Sequence, residues 1–306
     1  MIKINNFRVG IVIVNYNGGK YINDCVRSVF ESTYKNYMVI VVDNASTDNS
    51  VKNLEEEFKD RITIIKNNEN LGFSGANNIG IEYALQNGCE FVILLNNDTV
   101  IDKDLIHNMV STSLSNDNAI ISPKIYYYNE PNKIWSAGGG INWKKGLSFH
   151  YGFNQVDKGQ FDEKKEIDFA TGCCVLIHKF VFEKVGYLAE EYFLYFEDTD
   201  FCVRARQEGI RIIYEPKAKL WHKVSSTTGG EESPITLYYG NRNRLYFNEK
   251  FNRKNRFYYL TYFYATRMVK FLIWLVKGQK DNIKVVLEAI KDYKSNKVGL
   301  KNFGDL

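Results

Sequence analysis

Proline and cysteine are both scarce in this chain. Four prolines in 306 residues, with no internal repeat, low-complexity tract or proline-rich linker, exclude a loosely tethered string of domains. The five cysteines, Cys25, Cys89, Cys173, Cys174 and Cys202, are odd in number and show no metal-ligand spacing. Buried thiols in a reducing compartment are expected, not a disulfide frame. Charge of one sign is lacking as well. Lys and Arg total 40 against 36 Asp and Glu, a net charge of +4 spread along the sequence, which argues against nucleic acid as the main partner. A membrane-spanning helix needs about 20 residues with few charges, and the most apolar stretch, 257–276, carries Arg267 and Lys270 near its middle. Met1 to Gly10 shows no charged start leading into a long apolar run, so no secretory signal is visible and a cytoplasmic location is expected.

What is present is ordinary globular material. A hydrophobic content of 44% with 25% charged residues supports a real core, enough for one large domain or two modest ones. Aromatic residues are plentiful, with 21 Tyr and 20 Phe. Core packing accounts for most of them, and a sugar-contacting or membrane-facing surface would use the rest.

The apolar pattern alternates strand with helix. Val9 to Val14 is a short apolar strand, Tyr21 to Phe30 has Ile22, Cys25, Val26 and Val29 at helical spacing, and Met38 to Val42 is a second buried strand. Ser46-Thr47-Asp48 caps a helix over Asn49 to Phe58, followed by a strand at Ile62 to Ile65. A glycine-spaced segment, Asn70 to Asn78, opens a helix that stops at Gly88, and Phe91 to Leu95 is apolar on both faces, as the centre of a parallel sheet requires. Beyond it the pattern predicts a helix over Asp102 to Leu114, short strands and loops over Ile120 to Asp168, and a strand over Phe169 to Ile177. A short helix over Lys179 to Val185, a helix over Asp198 to Glu208 and a strand over Arg211 to Tyr214 follow, and from Pro234 the chain reads as helical. The helix over 257–276 has an apolar, aromatic face. It fits either a membrane surface, with Arg267 and Lys270 at the headgroups, or packing on the protein's own core or a second copy of the chain.

Polar groups gather where strands end: Asn15, Tyr16 and Asn17; Asp43 and Asn44; Asn96, Asn97 and Asp98. Each alone is an ordinary Asx-rich turn. A parallel sheet places all of these ends on one edge, where such folds bind ligands, and their convergence is harder to ascribe to turns. Gly72 and Gly75 let backbone approach phosphate, and the helix after them offers N–H groups to negative charge. Further on, Glu197, Asp198 and Asp200 crowd together, which raises at least one pKa as a general base requires; a helix-start acidic cluster is the plain alternative, with Asp200 as a cap. Arg204 and Arg206 follow, as partners for these acids or as substrate contacts. His222 comes after a strand and before the Ser-Ser-Thr-Thr-Gly-Gly loop at 225–230, which is polar enough to close over phosphates.

In order along the chain, Val14-Asn15-Tyr16-Asn17-Gly18, Val42-Asp43-Asn44-Ala45-Ser46-Thr47-Asp48, Asn70-Leu71-Gly72-Phe73, Leu94-Leu95-Asn96-Asn97-Asp98, Thr171-Gly172-Cys173, Phe196-Glu197-Asp198 and Trp221-His222 resemble inverting glycosyltransferases of family 2, and within them the rhamnosyltransferase-like branch. The resemblance covers about residues 8–250. It implies an α/β fold of the GT-A type: a Rossmann-like, mostly parallel central sheet flanked by helices. The transferase domain would span 1–233, with a nucleotide-binding half over 1–100 and an acceptor half over 101–233, and a helical extension over 234–306 that contacts the membrane or oligomerises. It also implies a nucleotide-diphosphate sugar donor (dTDP-rhamnose or a UDP-sugar), a saccharide or lipid-linked saccharide acceptor, and a Mg²⁺ or Mn²⁺ ion. By position, Asp198 matches the catalytic base, Asp98 the metal ligand and His222 a late metal or phosphate contact. Asn96 stands where the family's metal motif has its first Asp, so the motif is thinned to one carboxylate. The donor-binding candidates are Asn15, Tyr16, Asn17, Asp43, Asn44, Gly72, Phe73, Gly75, Asn78, Asn96, Asn97, Glu197 and Arg204.

Two other classes compete. A sugar-nucleotide-forming nucleotidyltransferase would carry a glycine- and arginine-rich phosphate loop after its first strand, and Asn15 to Lys20 has none; Gly18-Gly19-Lys20-Tyr21 also lacks the hydroxyl residue of a P-loop. A non-catalytic interaction subunit would have no need of the Asp43, Asp98, Asp198 and His222 set.

Overall fold

The computed structural model describes residues 4–19, 21–223, 230 and 232–301. Strand and helix alternate through β1 (Val9–Asn15), α1 (Tyr21–Phe30), β2 (Tyr37–Asp43), α2 (Ser50–Phe58), β3 (Thr63–Lys66), α3 (Gly72–Gln86) and β4 (Phe91–Asn96). Then come β5 (Thr99–Ile101), α4 (Leu105–Leu114), β6 (Ile120–Tyr127), β7 (Ile134–Ala137), β8 (Gly139–Asn142), β9 (Leu147–His150) and β10 (Lys165–Glu166). β11 (Cys174–His178), α5 (Lys179–Val185), α6 (Glu197–Gln207) and β12 (Ile212–His222) precede α7 (Pro234–Phe251), α8 (Arg256–Val276) and α9 (Lys280–Lys294).

Among the described residues the main sheet runs β10-β12-β6-β11-β4-β1-β2-β3, with β5 on β12 and β7 on β6. β3, β2, β1 and β4 are all parallel, joined by crossover helices. β11 then runs antiparallel between β4 and β6, while β12 is parallel to β6, so beyond β4 the sheet is mixed. An antiparallel neighbour needs no crossover helix, which is why β11 can be reached through the loops after β10.

Both faces of the sheet are covered. Alternate residues of β4 point to opposite cores: Val92 and Leu94 meet Ala76, Ile81 and Ala84 of α3, while Phe91, Ile93 and Leu95 join Ile22, Val26, Met109 and Val110 of α1 and α4. Each such aliphatic side chain contributes about 1.5–3 kcal/mol on burial. The helix expected from Asp102 begins only at Leu105, because residues 99–101 pair with β12. The strand expected from Phe169 begins at Cys174, and the one expected to end at Tyr214 continues to His222. Pro216, which has no N–H to give, is passed at a register shift between Glu215 and Lys219.

The C-terminal helices are packed on the domain. Phe247 of α7 belongs to the same core as Val12 and Leu94. α8 turns Tyr259, Phe263 and Trp274 inward. Arg267 donates to Asn241 at 2.9 Å, and Lys270 pairs with Glu232 at 2.9 Å. Two settings were open to these cations, lipid headgroups or the protein's own packing, and both cations engage protein groups here. No helix among the described residues is long and apolar enough to cross a membrane.

Candidate active site

The strand ends converge as the parallel pairing demands. In the ladders Asn15 faces Asp43 and Val14 faces Asn96, so three polar strand ends stand side by side. β5 makes the next connection, because Thr99 pairs with His222 and the Lys223 N–H donates to the Asp98 carbonyl at 2.9 Å. His222 thus closes β12 itself instead of following it, and its Nε2 lies 3.1 Å from Asp98 Oδ1.

A cavity of about 390 Å³ opens at this edge, lined by Tyr16, Asn44, Gly72, Phe73, Asn96, Asn97, Asp98, Glu197, Asp198 and His222 among others. Asn44 organises the glycine turn: its Oδ1 accepts the Leu71 N–H at 3.0 Å, and its Nδ2 donates to Asn70 Oδ1 at 2.8 Å and to the Gly72 carbonyl at 3.0 Å. Gly72 has φ +73°, and a Cβ there would come within 2.6 Å of the Phe193 ring. Only glycine meets both conditions without strain.

Asn15 and Asp43 lie just behind the lining. Asn15 Nδ2 donates to Asp43 Oδ1 at 2.7 Å and to Ser50 Oγ at 2.8 Å, while Asp43 Oδ2 accepts the Ser46 N–H at 3.1 Å. A carboxylate has about four lone-pair sites, so Asp43 retains capacity for a ligand N–H. Asn17 Oδ1 accepts the Thr47 N–H at 2.8 Å, which joins the two loops after β1 and β2.

Asp198 stands at the N-terminus of α6. Its Oδ2 accepts the Gly172 N–H at 3.0 Å and its Oδ1 accepts the Thr199 N–H at 2.7 Å. Burial raises its pKa above the usual carboxylate value, and these N–H groups partly oppose the rise. Glu197 is pushed up further, first by burial and then by the neighbouring Asp198 charge, and its Oε2 has no hydrogen-bond partner among the described residues. Both carboxyls are thus raised, Glu197 the more, because the Asp198 charge adds to its burial while backbone N–H groups restrain the rise at Asp198.

Three expected donor contacts lie elsewhere. Arg204 donates to Asp200 Oδ1 at 2.5 Å and to the Val185 and Tyr187 carbonyls at 2.6 and 2.8 Å, because a buried Asp200 on the same helix draws it inward. Arg206 pairs with Asp168 at 2.6 Å. Asn78 donates to the Leu188 carbonyl at 2.9 Å and to Glu190 at 2.8 Å, and a Cβ at Gly75 would meet Leu71. Asp200 does not cap α6; it accepts from Tyr192 and Lys250 at 2.9 and 2.7 Å. The polar loop at 225–230 lies, apart from Gly230, outside the described residues.

Some of the lining had no sequence signal. Trp135 stands edge-on to His222, with centroids 4.9 Å apart, and on its other contact meets His150 at 4.6 Å. A lone Trp on a four-residue strand has no pattern that would have found it. Phe193, Leu194 and Tyr195 also line the cavity, and Phe193, Tyr195 and Phe196 have φ +64°, +68° and +76°. Left-handed backbone at bulky residues costs of order 1–3 kcal/mol each.

Asp98 and His222 fit a divalent ion. At 3.1 Å the two side chains are near enough to touch one ion; the carboxylate is a ligand that suits Mg²⁺ or Mn²⁺, while an imidazole leans towards softer divalent ions. Among the described residues no group of three or more His, Cys, Asp or Glu side chains assembles, so further ligands would come from the donor's phosphates and water.

The profile of Glycosyl transferase family 2 matches residues 10–186, and the chain belongs to that family. It is 31% identical over 239 residues to the low-salt glycan biosynthesis hexosyltransferase Agl10 of Haloferax volcanii, covering 78% of this chain and 74% of that protein. It is 30% identical over 247 residues to the dTDP-rhamnosyl transferase RfbF of Shigella flexneri, covering 78% and 79%. A crystal structure of GalNAc-T7 with UDP, GalNAc and Mn²⁺ shares the fold, with a TM-score of 0.68 at 18% identity over 83% of this chain and 49% of that one. The chain is a glycosyltransferase with a GT-A fold.

Proposed function

We propose that this glycosyltransferase moves a sugar from a nucleotide-diphosphate donor to a hydroxyl of a saccharide acceptor, with inversion at the anomeric carbon, in the assembly of a surface glycan. The observation that carries this is Asp198, fixed by two backbone N–H groups in the cavity that also holds Asp98 and His222. Asp198 takes the acceptor's proton as its oxygen attacks, and a single displacement needs one base and no enzyme nucleophile. Asn44 and Gly72 shape the turn that forms the wall of the cavity on the donor side. Glu197, which lines the same cavity with its Oε2 unpartnered among the described residues, is a hydrogen-bonding group for a sugar hydroxyl. Asp98 and His222 would hold the divalent ion, Mg²⁺ or Mn²⁺, whose positive charge would stabilise the leaving diphosphate.

The donor is dTDP-rhamnose or a UDP-sugar, in line with the Shigella relative's name. The exposed face of α8, with Phe257 at 77%, Met268 at 65% and Leu272 at 62% accessible, supports peripheral contact with the inner face of the membrane, where a lipid-linked acceptor would lie. Thermal-shift screening with dTDP-, UDP- and GDP-sugars and Mn²⁺ identifies the donor, since a bound nucleotide stabilises by mass action. NMR of the product then reads the anomer. Retained configuration overturns the single displacement, and pyrophosphate release would mark a nucleotidyltransferase instead.

A further inference from the structure

The segment from Tyr192 to Phe196, which leads directly into Glu197 and Asp198, is held from outside the nucleotide-binding half. The side-chain amide of Asn243, buried in α7, donates to the carbonyls of Tyr192 at 2.8 Å, Leu194 at 2.7 Å and Tyr195 at 3.0 Å. Its Oδ1 accepts from Arg242 Nε at 2.8 Å. That contact fixes which way the amide points: a guanidinium has only donors, so the amide oxygen must face it and the NH₂ must face the loop. Arg242, itself 2% exposed and set against the Tyr238 and Tyr239 rings, also donates to the Tyr192 carbonyl at 3.0 Å and to that of Gly299 at 2.8 Å. The remaining loop carbonyls are used as well: Phe193 accepts from the Phe73 N–H at 2.7 Å, and Phe196 from the Asp200 N–H at 2.8 Å.

Three aromatic residues with positive φ would relax to commoner conformations if these carbonyls were released. The Phe193–Phe73 bond would move with them, coupling the base to the Gly72 turn. We infer that Asn243, oriented by Arg242, is a positioning residue that holds this strained loop and thereby sets the Asp198 carboxylate against the acceptor. The C-terminal helices are, on this reading, part of the catalytic apparatus. The inference rests on Asp198 being the base.

Asn243→Asp tests it. The substitution is isosteric and gives Arg242 an ion-pair partner, so the helix contact survives, but it places acceptors against three carbonyls. Transfer by the full chain is measured in the wild-type and Asp198→Asn backgrounds, together with thermal unfolding and donor KM. The expected result is a kcat lowered about 100-fold with donor KM changed less than about threefold, the scale of a misplacement near 1 Å. In the Asp198→Asn background the same change costs less than about threefold, because residues that act through one group are not additive. An unchanged kcat in soluble, folded N243D, or an equal loss in both backgrounds, overturns the clamp. Near-normal transfer by D198N alone overturns the base assignment instead. If N243D does not fold, N243S carries the same comparison.

Discussion

His222 Nε2 stands 3.1 Å from Asp98 Oδ1 although 124 positions separate them (222 − 98), and the β5–β12 ladder that pairs Thr99 with His222 is the reason. If the two share an ion, each should matter most when the diphosphate is present. Asp98→Asn and His222→Ala are expected to lower kcat roughly 100-fold, about 3 kcal/mol of transition-state stabilisation. Calorimetric titration of Mn²⁺ with and without dTDP or UDP checks the cause. Weak binding to the chain alone, tighter binding with nucleotide, and loss of that gain in both variants is the expected pattern. Unaltered Mn²⁺ binding in both variants would remove these two residues from the metal site.

The Glu197–Asp198 pair makes a prediction in which activity and stability part. Both carboxyls are raised by burial. A raised folded-state pKa gives stability that is fully present below the unfolded value, about 4, and is lost as pH rises through the folded one. Glu197→Gln should therefore raise Tm at pH 7.5 by about 2 °C or more, with the gain shrinking towards pH 4. Asp198→Asn should shift Tm the same way and remove transfer. In the wild type, transfer should fall on acidification at a higher pH than an ordinary carboxylate gives. A pH–rate profile flat down to pH 4 would count against Asp198 as the base.

Much of this edge was legible because apolar runs stop where the strands leave the sheet. Asn15, Asp43 and Asn96 mark those stops, and parallel pairing brings them together without further information. The glycine turn was legible too, since a positive φ at Gly72 leaves its mark in residue type. β5 was not, because three residues carry no periodicity, and with it went the reason His222 meets Asp98. The continuation of β12 was hidden by Pro216, which ordinarily ends a strand. For Arg204 both the neighbouring acids and a substrate were open, since spacing cannot tell which acceptor a guanidinium finds first, and Asp200 takes it. In α7 the run Asn241-Arg242-Asn243-Arg244 looks solvent-facing, yet all four are buried, because the partners that satisfy them are backbone carbonyls and carbonyls leave no trace in a sequence.

Gly72 offers a test of how closely the donor turn and the acidic loop are fitted. Gly72→Ala must hold an alanine at φ +73° and push its methyl group towards Phe193. The backbone term alone costs about 1–2 kcal/mol, and the contact adds to it. Tm is expected to fall by about 3 °C or more, and donor KM to rise at least about tenfold. Gly186→Ala is the control: it also has positive φ, but nothing lies within 4 Å of a Cβ there. Its Tm should fall by a similar backbone amount while donor KM holds. Equal effects on KM would mean that the Gly72 turn does not contact the donor.

The outward face of α8 should bind lipid without any change to the active site. Met268, Val269, Leu272 and Val276 are exposed on a helix whose other face, with Phe263 and Trp274, is packed inside. Deleting the whole region would confound the test, because Gly299 and Arg242 bind the loop that precedes Asp198. Point changes avoid that. Leu272→Ser with Met268→Ser should leave Tm within about 1 °C, as exposed substitutions usually do. Sedimentation with vesicles containing anionic lipid should fall severalfold, since each exposed aliphatic group contributes about 1 kcal/mol or more when buried in the interface. Transfer to a soluble saccharide acceptor should be unchanged, while transfer to a lipid-linked one falls with the binding. If vesicle binding is absent in the wild type and the double substitution instead shifts the sedimentation coefficient from dimer to monomer, the face belongs to a second copy of the chain.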